Sequence, residues 1–173
     1  MPRPIINLDE LEFVRWNTGF PSDQQPPLDR FGADRAQVGA RIGARRLGYN
    51  VTAIDPGKAA YPFHSHRLNE EMFLVLEGEG ELRLGAERHP VRAGDIVACP
   101  AGGPETAHQF RNTGSSPLKV LMVATALDSE VVQYPDSGKT GFAVMTPGPD
   151  GKPQMVRGIL RDGDEQPKYW EGE

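Results

Sequence analysis

The sequence has a single cysteine, Cys99, in 173 residues. One thiol cannot form a disulfide within the chain, and such a composition is typical of a reducing compartment. Basic residues are also few, since 19 lysines and arginines stand against 24 acidic residues and the formal net charge is −5. This balance gives no general attraction for nucleic acid or for an anionic membrane, so we expect neither as a partner.

Long apolar segments are missing as well. The first residues include no apolar stretch of signal-peptide length, and no later stretch approaches the length of a membrane span. Together with the lone cysteine, this predicts a cytoplasmic protein. No helix-turn-helix pattern is visible, which argues against a DNA-binding regulator.

Glycine and proline, in contrast, are abundant at 20 and 16 residues. These residues favour many turns and short strands over long helices. The length suits one domain with a sizeable core and additional arms. The composition therefore predicts a small all-β barrel.

Three histidines and one glutamate occur where short extended segments can bring them together. His64 and His66 are two residues apart, so they point to the same face of a strand. Glu71 opens an apolar run, 72–76, whose length and following glycines indicate a strand, and His108 lies in another extended segment. Such a set suits a divalent transition metal. The alternative is a hydrogen-bonded polar cluster without metal.

The spacing of these residues resembles the two sequence motifs of the cupin superfamily. The matching residues are Gly57-x6-His64-x-His66-x4-Glu71-x6-Gly78 and Gly94-x5-Pro100-x-Gly102-x5-His108-x3-Asn112. The resemblance implies an antiparallel jelly-roll β-barrel with one divalent metal ion (Fe, Mn, Ni, Cu or Zn). It implies that the metal ligands are His64, His66, Glu71 and His108. Within the superfamily, the chain resembles small single-domain bacterial cupins, whose members are mostly uncharacterised.

Two loops depart from the family pattern. The gap between Gly57 and His64 is one residue longer than usual, and the gap between Gly102 and His108 is three residues longer. The second loop contains Glu105, the one additional carboxylate expected near the mouth of the predicted barrel. We therefore name Glu105 as a candidate catalytic residue, with an exposed loop acid as the alternative.

The chain divides into an N-terminal arm (1–46), a predicted barrel (47–126) and a C-terminal extension (127–173). The extension mixes turn residues with apolar pieces, and we expect it to dock on the barrel or on a partner subunit. The predicted strands 71–76 and 118–125 are apolar on both faces, which is typical of strands covered on both sides. A homodimer with sheet packed on sheet would cover the outer face.

The resemblance implies a range of functions that includes dioxygenases, decarboxylases, isomerases and ligand-binding proteins. We favour a metal-dependent enzyme, of the oxygenase type or related, that acts on a small organic molecule. Two alternatives stay open: a non-catalytic cupin that binds a small ligand or sugar, and a cupin similar to sugar-phosphate isomerases. The last would need a lysine or arginine inside the barrel, and strand alternation identifies none.

Overall fold

The computed structural model describes residues 3–16, 25–161, 163–165 and 170–172. Its strands are β1 (Val14–Arg15), β2 (Ala33–Gln37), β3 (Leu47–Ile54), β4 (Ser65–His66), β5 (Glu71–Glu77), β6 (Glu79–Leu84), β7 (Glu87–Arg92), β8 (Ile96–Cys99), β9 (His108–Arg111), β10 (Leu118–Thr125), β11 (Ser129–Tyr134), β12 (Lys139–Pro147) and β13 (Pro153–Arg161). Short 3₁₀ turns occupy Leu8–Glu10, Ala40–Ile42, Pro104–Thr106 and Pro135–Ser137. Within the described ranges, no helix has the length and apolar character needed to span a membrane.

The strands form three antiparallel sheets. The largest has six strands in the order β1-β2-β3-β10-β5-β8, the second has four in the order β13-β12-β11-β4, and the third has three in the order β7-β6-β9. Neighbouring strands are antiparallel throughout these sheets. The prediction of an all-β fold built from antiparallel strands is confirmed.

Alternating side chains of the six-stranded sheet build the core. In β5, Phe73 and Val75 are only 3% and 1% exposed, whereas Met72 on the opposite face is 38% exposed. Val120 of β10 lies opposite both Val75 and Thr52, so the inward row continues across the sheet. The period of two that the sequence predicts therefore decides which side chains enter the barrel.

Strand β2 lies within the segment assigned to the N-terminal arm, yet it pairs with β3 in the main sheet. The register places Arg35 opposite Thr52 and Gln37 opposite Asn50. Thr52 is buried, which puts Arg35 on the inward face, whereas Gln37 at the end of the strand is exposed. The sequence does not predict this strand, because charged and amide residues interrupt the apolar pattern. The division into arm, barrel and extension remains a prediction.

The C-terminal extension forms most of the four-stranded sheet. Strand β11 pairs with β4 through Val132 opposite His66, so the extension reaches one of the predicted metal ligands. Strands β12 and β13 continue as a long hairpin. Several of its apolar side chains are exposed, including Val144, Met155 and Ile159.

Candidate metal centre

The four predicted ligands lie together at one end of the barrel, where the three sheets meet. His66 lies in β4, Glu71 begins β5 and His108 begins β9, while His64 immediately precedes β4. Their ligand atoms all lie within 4.8 Å of one another. We refer to these residues as the His₃Glu cluster. The structure thus brings the four residues together, and their role as ligands remains a prediction.

A backbone bridge fixes His64 against His108. The N–H of His64 donates to the carbonyl of His108 at 3.2 Å, and the N–H of His108 donates to the carbonyl of His64 at 2.8 Å. The centroids of the two rings lie 4.7 Å apart. The long loop before His108 folds into the 3₁₀ turn at Pro104–Thr106. Its extra residues are accommodated there without removing His108 from the cluster.

The hydrogen bonds of the three imidazoles fix their tautomers. Nδ1 of His64 lies 2.8 Å from the carbonyl of Pro62, and Nδ1 of His108 lies 3.3 Å from the carbonyl of Thr106. A carbonyl can only accept, so each Nδ1 carries the proton and donates. The third ring follows the same pattern, because Nδ1 of His66 lies 3.2 Å from a Glu130 oxygen. In the neutral form of each ring, Nε2 then carries the lone pair that a metal ligand requires.

These lone pairs face the carboxylate of Glu71. Nε2 of His108 lies 2.9 Å from Oε2 of Glu71, and Nε2 of His66 lies 3.3 Å from the same oxygen. Among the described residues, neither Oε2 of Glu71 nor Nε2 of His108 has a hydrogen bond of acceptable geometry, although both atoms are buried. Between a neutral imidazole and a carboxylate this contact brings two acceptors together, and either a proton or a metal cation between them satisfies both. The donor set of imidazole nitrogens and one carboxylate fits a divalent transition metal.

Burial and proximity set the charge states of the cluster. Burial, assisted by the nearby His108 and His66, lowers the pKa of His64 to about 4, so this ring is neutral near pH 7. Burial would raise the pKa of Glu71, but His108 and His66 outweigh it and hold the pKa well below its ordinary value. Burial would lower the pKa of His66, but Glu71 and Glu130 outweigh it and raise that pKa. An ionised carboxylate and neutral imidazoles are the forms that bind metal.

Glu130, from β11, holds the chain between two of the predicted ligands. Besides contacting His66, its Oε1 accepts from the N–H of Leu68 at 3.2 Å, and its Oε2 accepts from the N–H of Asn69 at 3.0 Å. The side-chain amide of Asn69 also donates to Oε2. Sequence reasoning missed Glu130, because it lies 64 residues beyond His66 and outside both motifs.

A cavity of about 200 Å³ opens onto the His₃Glu cluster. Its other lining residues are Arg35, Asn50, Ala60, Tyr61, Phe73, Gln109, Phe110 and Met122. Ligand pockets commonly have about 300 to 1,000 Å³, so this cavity suits a small molecule. Arg35 supplies the interior basic residue that alternation did not identify, because the strand that carries it was not predicted.

Glu105 is not brought to the cluster. Its side chain is exposed and folds back on its own loop, where Oε1 accepts from the N–H of Gly103 at 2.8 Å. This backbone hydrogen bond is the main cause that lowers the pKa of Glu105. The residue is absent from the described lining of the 200 Å³ cavity. A catalytic role for Glu105 remains an untested prediction.

Comparisons with known proteins agree with this architecture. Residues 50–124 match the family model described as a cupin domain. A solved structure from Silicibacter pomeroyi, described as a sugar phosphate isomerase from a cupin superfamily, has a TM-score of 0.75 and 25% identity, covering 96% of this chain and 98% of that one. The fold is therefore the cupin jelly roll, as the resemblance implied.

Two curated relatives bear on the function. Auxin-binding protein 1 of Arabidopsis thaliana is 30% identical over 144 residues, which cover 78% of this chain and 68% of that protein. Quercetin 2,3-dioxygenase of Bacillus subtilis is 33% identical over 100 residues, which cover 53% of this chain but only 29% of the enzyme. Other curated relatives are matched over about half of their length or less.

Proposed function

This chain belongs to the cupin superfamily, and on that premise we propose that it is a metal-dependent enzyme acting on a small organic molecule. The proposed ligands of its single divalent transition-metal ion are His64, His66, Glu71 and His108. The observation that carries the proposal is the unsatisfied pair of buried atoms, Oε2 of Glu71 and Nε2 of His108, 2.9 Å apart. A bound cation would satisfy both atoms at once.

A bound divalent ion would act as a Lewis acid toward an oxygen atom of the substrate. The residues of the chain supply the rest. The carbonyls of Pro62 and Thr106 orient two imidazoles through Nδ1, and Glu130 orients the third. Asn50 and Gln109, on the cavity wall, offer neutral polar groups that can fix the orientation of a ligand.

Two enzyme classes are supported by relatives. The Bacillus subtilis relative is named as a dioxygenase, which supports an oxygenase-type reaction. The Silicibacter pomeroyi structure is described as a sugar phosphate isomerase, which supports our second candidate. The presence of Arg35 in the cavity favours this second candidate, because a phosphorylated substrate needs an interior cation.

A turnover screen tests the proposal. Protein loaded separately with Fe, Mn, Ni, Cu or Zn is assayed for oxygen consumption with catechol-like and β-diketone compounds, and for isomerisation of phosphorylated aldoses. We expect turnover with one metal, and we expect His108→Ala to abolish it. His89→Ala is the matched control, because His89 is an exposed histidine of β7 that contacts Glu87 instead of the cluster.

A stoichiometric metal complex that is inert across the whole panel would contradict the enzyme. It would favour the remaining alternative, a cupin that only holds a small ligand or sugar. The name of the Arabidopsis thaliana relative, auxin-binding protein 1, refers to binding and gives that alternative some support.

A further inference from the structure

We propose that Arg35 anchors an anionic group, a carboxylate or a phosphate, of the molecule that occupies the 200 Å³ cavity. The inference rests on the proposed function in placing that molecule beside the His₃Glu cluster. Beyond that function, the inference specifies the charge of the ligand and names the residue that recognises this charge. Carboxylate and phosphate share the chemistry of an oxyanion that can accept two parallel hydrogen bonds from a guanidinium group.

Two neutral neighbours hold the guanidinium of Arg35 in place. Its Cζ lies 4.6 Å from the centroid of the Trp16 ring, in cation–π contact. The side-chain oxygen of Gln37, in the amide orientation that satisfies both residues, accepts from Nη2 at 3.1 Å and from Nε at 3.2 Å. Gln37 follows Arg35 by two positions, so the two side chains lie on the same face of β2. The planar group is therefore held before any ligand binds, which reduces the entropic cost of binding.

The charge of Arg35 has no counter-ion among the residues that the structure describes. Asp34, which precedes Arg35 in the sequence, and Asp55 pair with another cation, because Arg15 contacts them at 3.1 Å and 2.7 Å. A half-buried cation without an anionic partner loses solvation and gains no ion pair in return. An anionic ligand would supply the missing partner.

The charges around the cavity favour the same ligand class. The titratable groups that line it are Arg35, Tyr61, Glu71 and the three histidines of the cluster. With a divalent ion bound and the imidazoles neutral, the carboxylate of Glu71 leaves one positive charge at the centre, and Arg35 adds a second. An anion of one or two charges neutralises this excess, whereas a neutral molecule does not.

The test uses small anions as probes. Binding of malonate and of glycerol 3-phosphate is measured by titration calorimetry, with malonamide and glycerol as their neutral counterparts. Each titration uses both metal-loaded and metal-free protein. We expect at least one anion to bind, its neutral counterpart to bind at least tenfold more weakly, and Arg35→Met to lose at least tenfold in affinity. The ligand is a carboxylate if malonate binds more tightly, and a phosphate if glycerol 3-phosphate does.

Two further variants make the result specific. Arg35→Lys keeps the charge but loses the planar fork, so it should bind with intermediate affinity. Arg45→Met removes the same charge from an exposed position outside the cavity and should bind as the wild type does. Metal content and thermal unfolding of each variant show whether the fold and the cluster are intact.

Equal anion affinity in wild-type protein and Arg35→Met would overturn the proposal, as would the absence of anion binding in both forms of the wild type. Failure of the proposed function gives a different result. A protein that takes up no metal, yet binds an anion through Arg35, would contradict the metal centre and support the anionic site.

Discussion

Glu130 shows how a single residue outside the motifs can control the cluster. Its carboxylate accepts from Nδ1 of His66 and from two backbone N–H groups of the segment that leads to Glu71. A carboxylate in this position fixes the ring and makes Nε2 a stronger ligand. The C-terminal extension would then contribute to metal affinity without supplying a ligand.

We predict that Glu130→Gln weakens metal binding about 10- to 100-fold, the usual range for loss of such a partner. The amide keeps one acceptor oxygen and cannot accept from both Leu68 and Asn69, so the metal-free protein should also unfold at a somewhat lower temperature. Competition with a chromophoric chelator measures the affinity, and the visible spectrum of the Co(II) form reports on ligand geometry. An unchanged affinity and spectrum would show that Glu130 has only a structural role.

At this scale the motif residues could be predicted and their supporting residues could not. His64, His66 and His108 could be identified because they stand at the spacing of the two cupin motifs in the sequence. Glu130 and Arg35 reach the site through strand pairing between distant segments, and pairing register leaves no such local signature.

The turn between β5 and β6 positions the strand that Glu71 begins. Gly78 has φ +81°, and a Cβ there would lie 2.7 Å from the carbonyl oxygen of Pro117. Any other residue at this position would be strained by the backbone conformation, and its Cβ would also clash with the backbone at Pro117.

We predict that Gly78→Ala destabilises the fold by at least about 2 kcal/mol, with about 1–2 kcal/mol from the left-handed backbone and the rest from the clash. Gly57→Ala is the control, since Gly57 has φ +74° but nothing within 4 Å of the added Cβ. Gly57→Ala should lose only the contribution of the left-handed backbone. Thermal and chemical unfolding measure both, and equal losses would refute the importance of the close approach.

The strands were predictable where apolar residues alternate or run together, as in β5 and β10. Strand β2 was not, because Arg35 and Gln37 share one of its faces and its buried side chains are the small ones of Ala33 and Ala36. A polar inner face gives no hydrophobic periodicity, so only the tertiary structure reveals it.

The outer face of the six-stranded sheet bears on the oligomeric state of the molecule. Leu74 lies opposite both Leu121 and Ile96, which makes one apolar row across three strands. Ile96 is 73% exposed, and Met72 beside this row is 38% exposed. The predicted homodimer, with sheet packed on sheet, would cover this row.

We predict that light scattering at micromolar concentration reports a dimer, because an obligate interface of about 2,000 Å² or more is expected for such sheets. Ile96→Asp should shift the protein to monomer by placing a charge in the interface. Leu28→Asp is the control, since Leu28 is 63% exposed but lies outside the six-stranded sheet. A monomeric wild type would contradict the homodimer and leave the row exposed in solution.

The metal content of the purified chain is the most direct test of the central claim. Protein is stripped with chelator, reconstituted with each divalent transition metal near pH 7, desalted and analysed by mass spectrometry of the metal. We predict one equivalent per chain for wild type and for His89→Ala, and a clear loss for His64→Ala and His108→Ala, because each removes a ligand from the cluster. A wild type that retains no divalent metal, or a His108→Ala variant that retains as much as wild type, would contradict the assignment of the His₃Glu cluster as a metal centre.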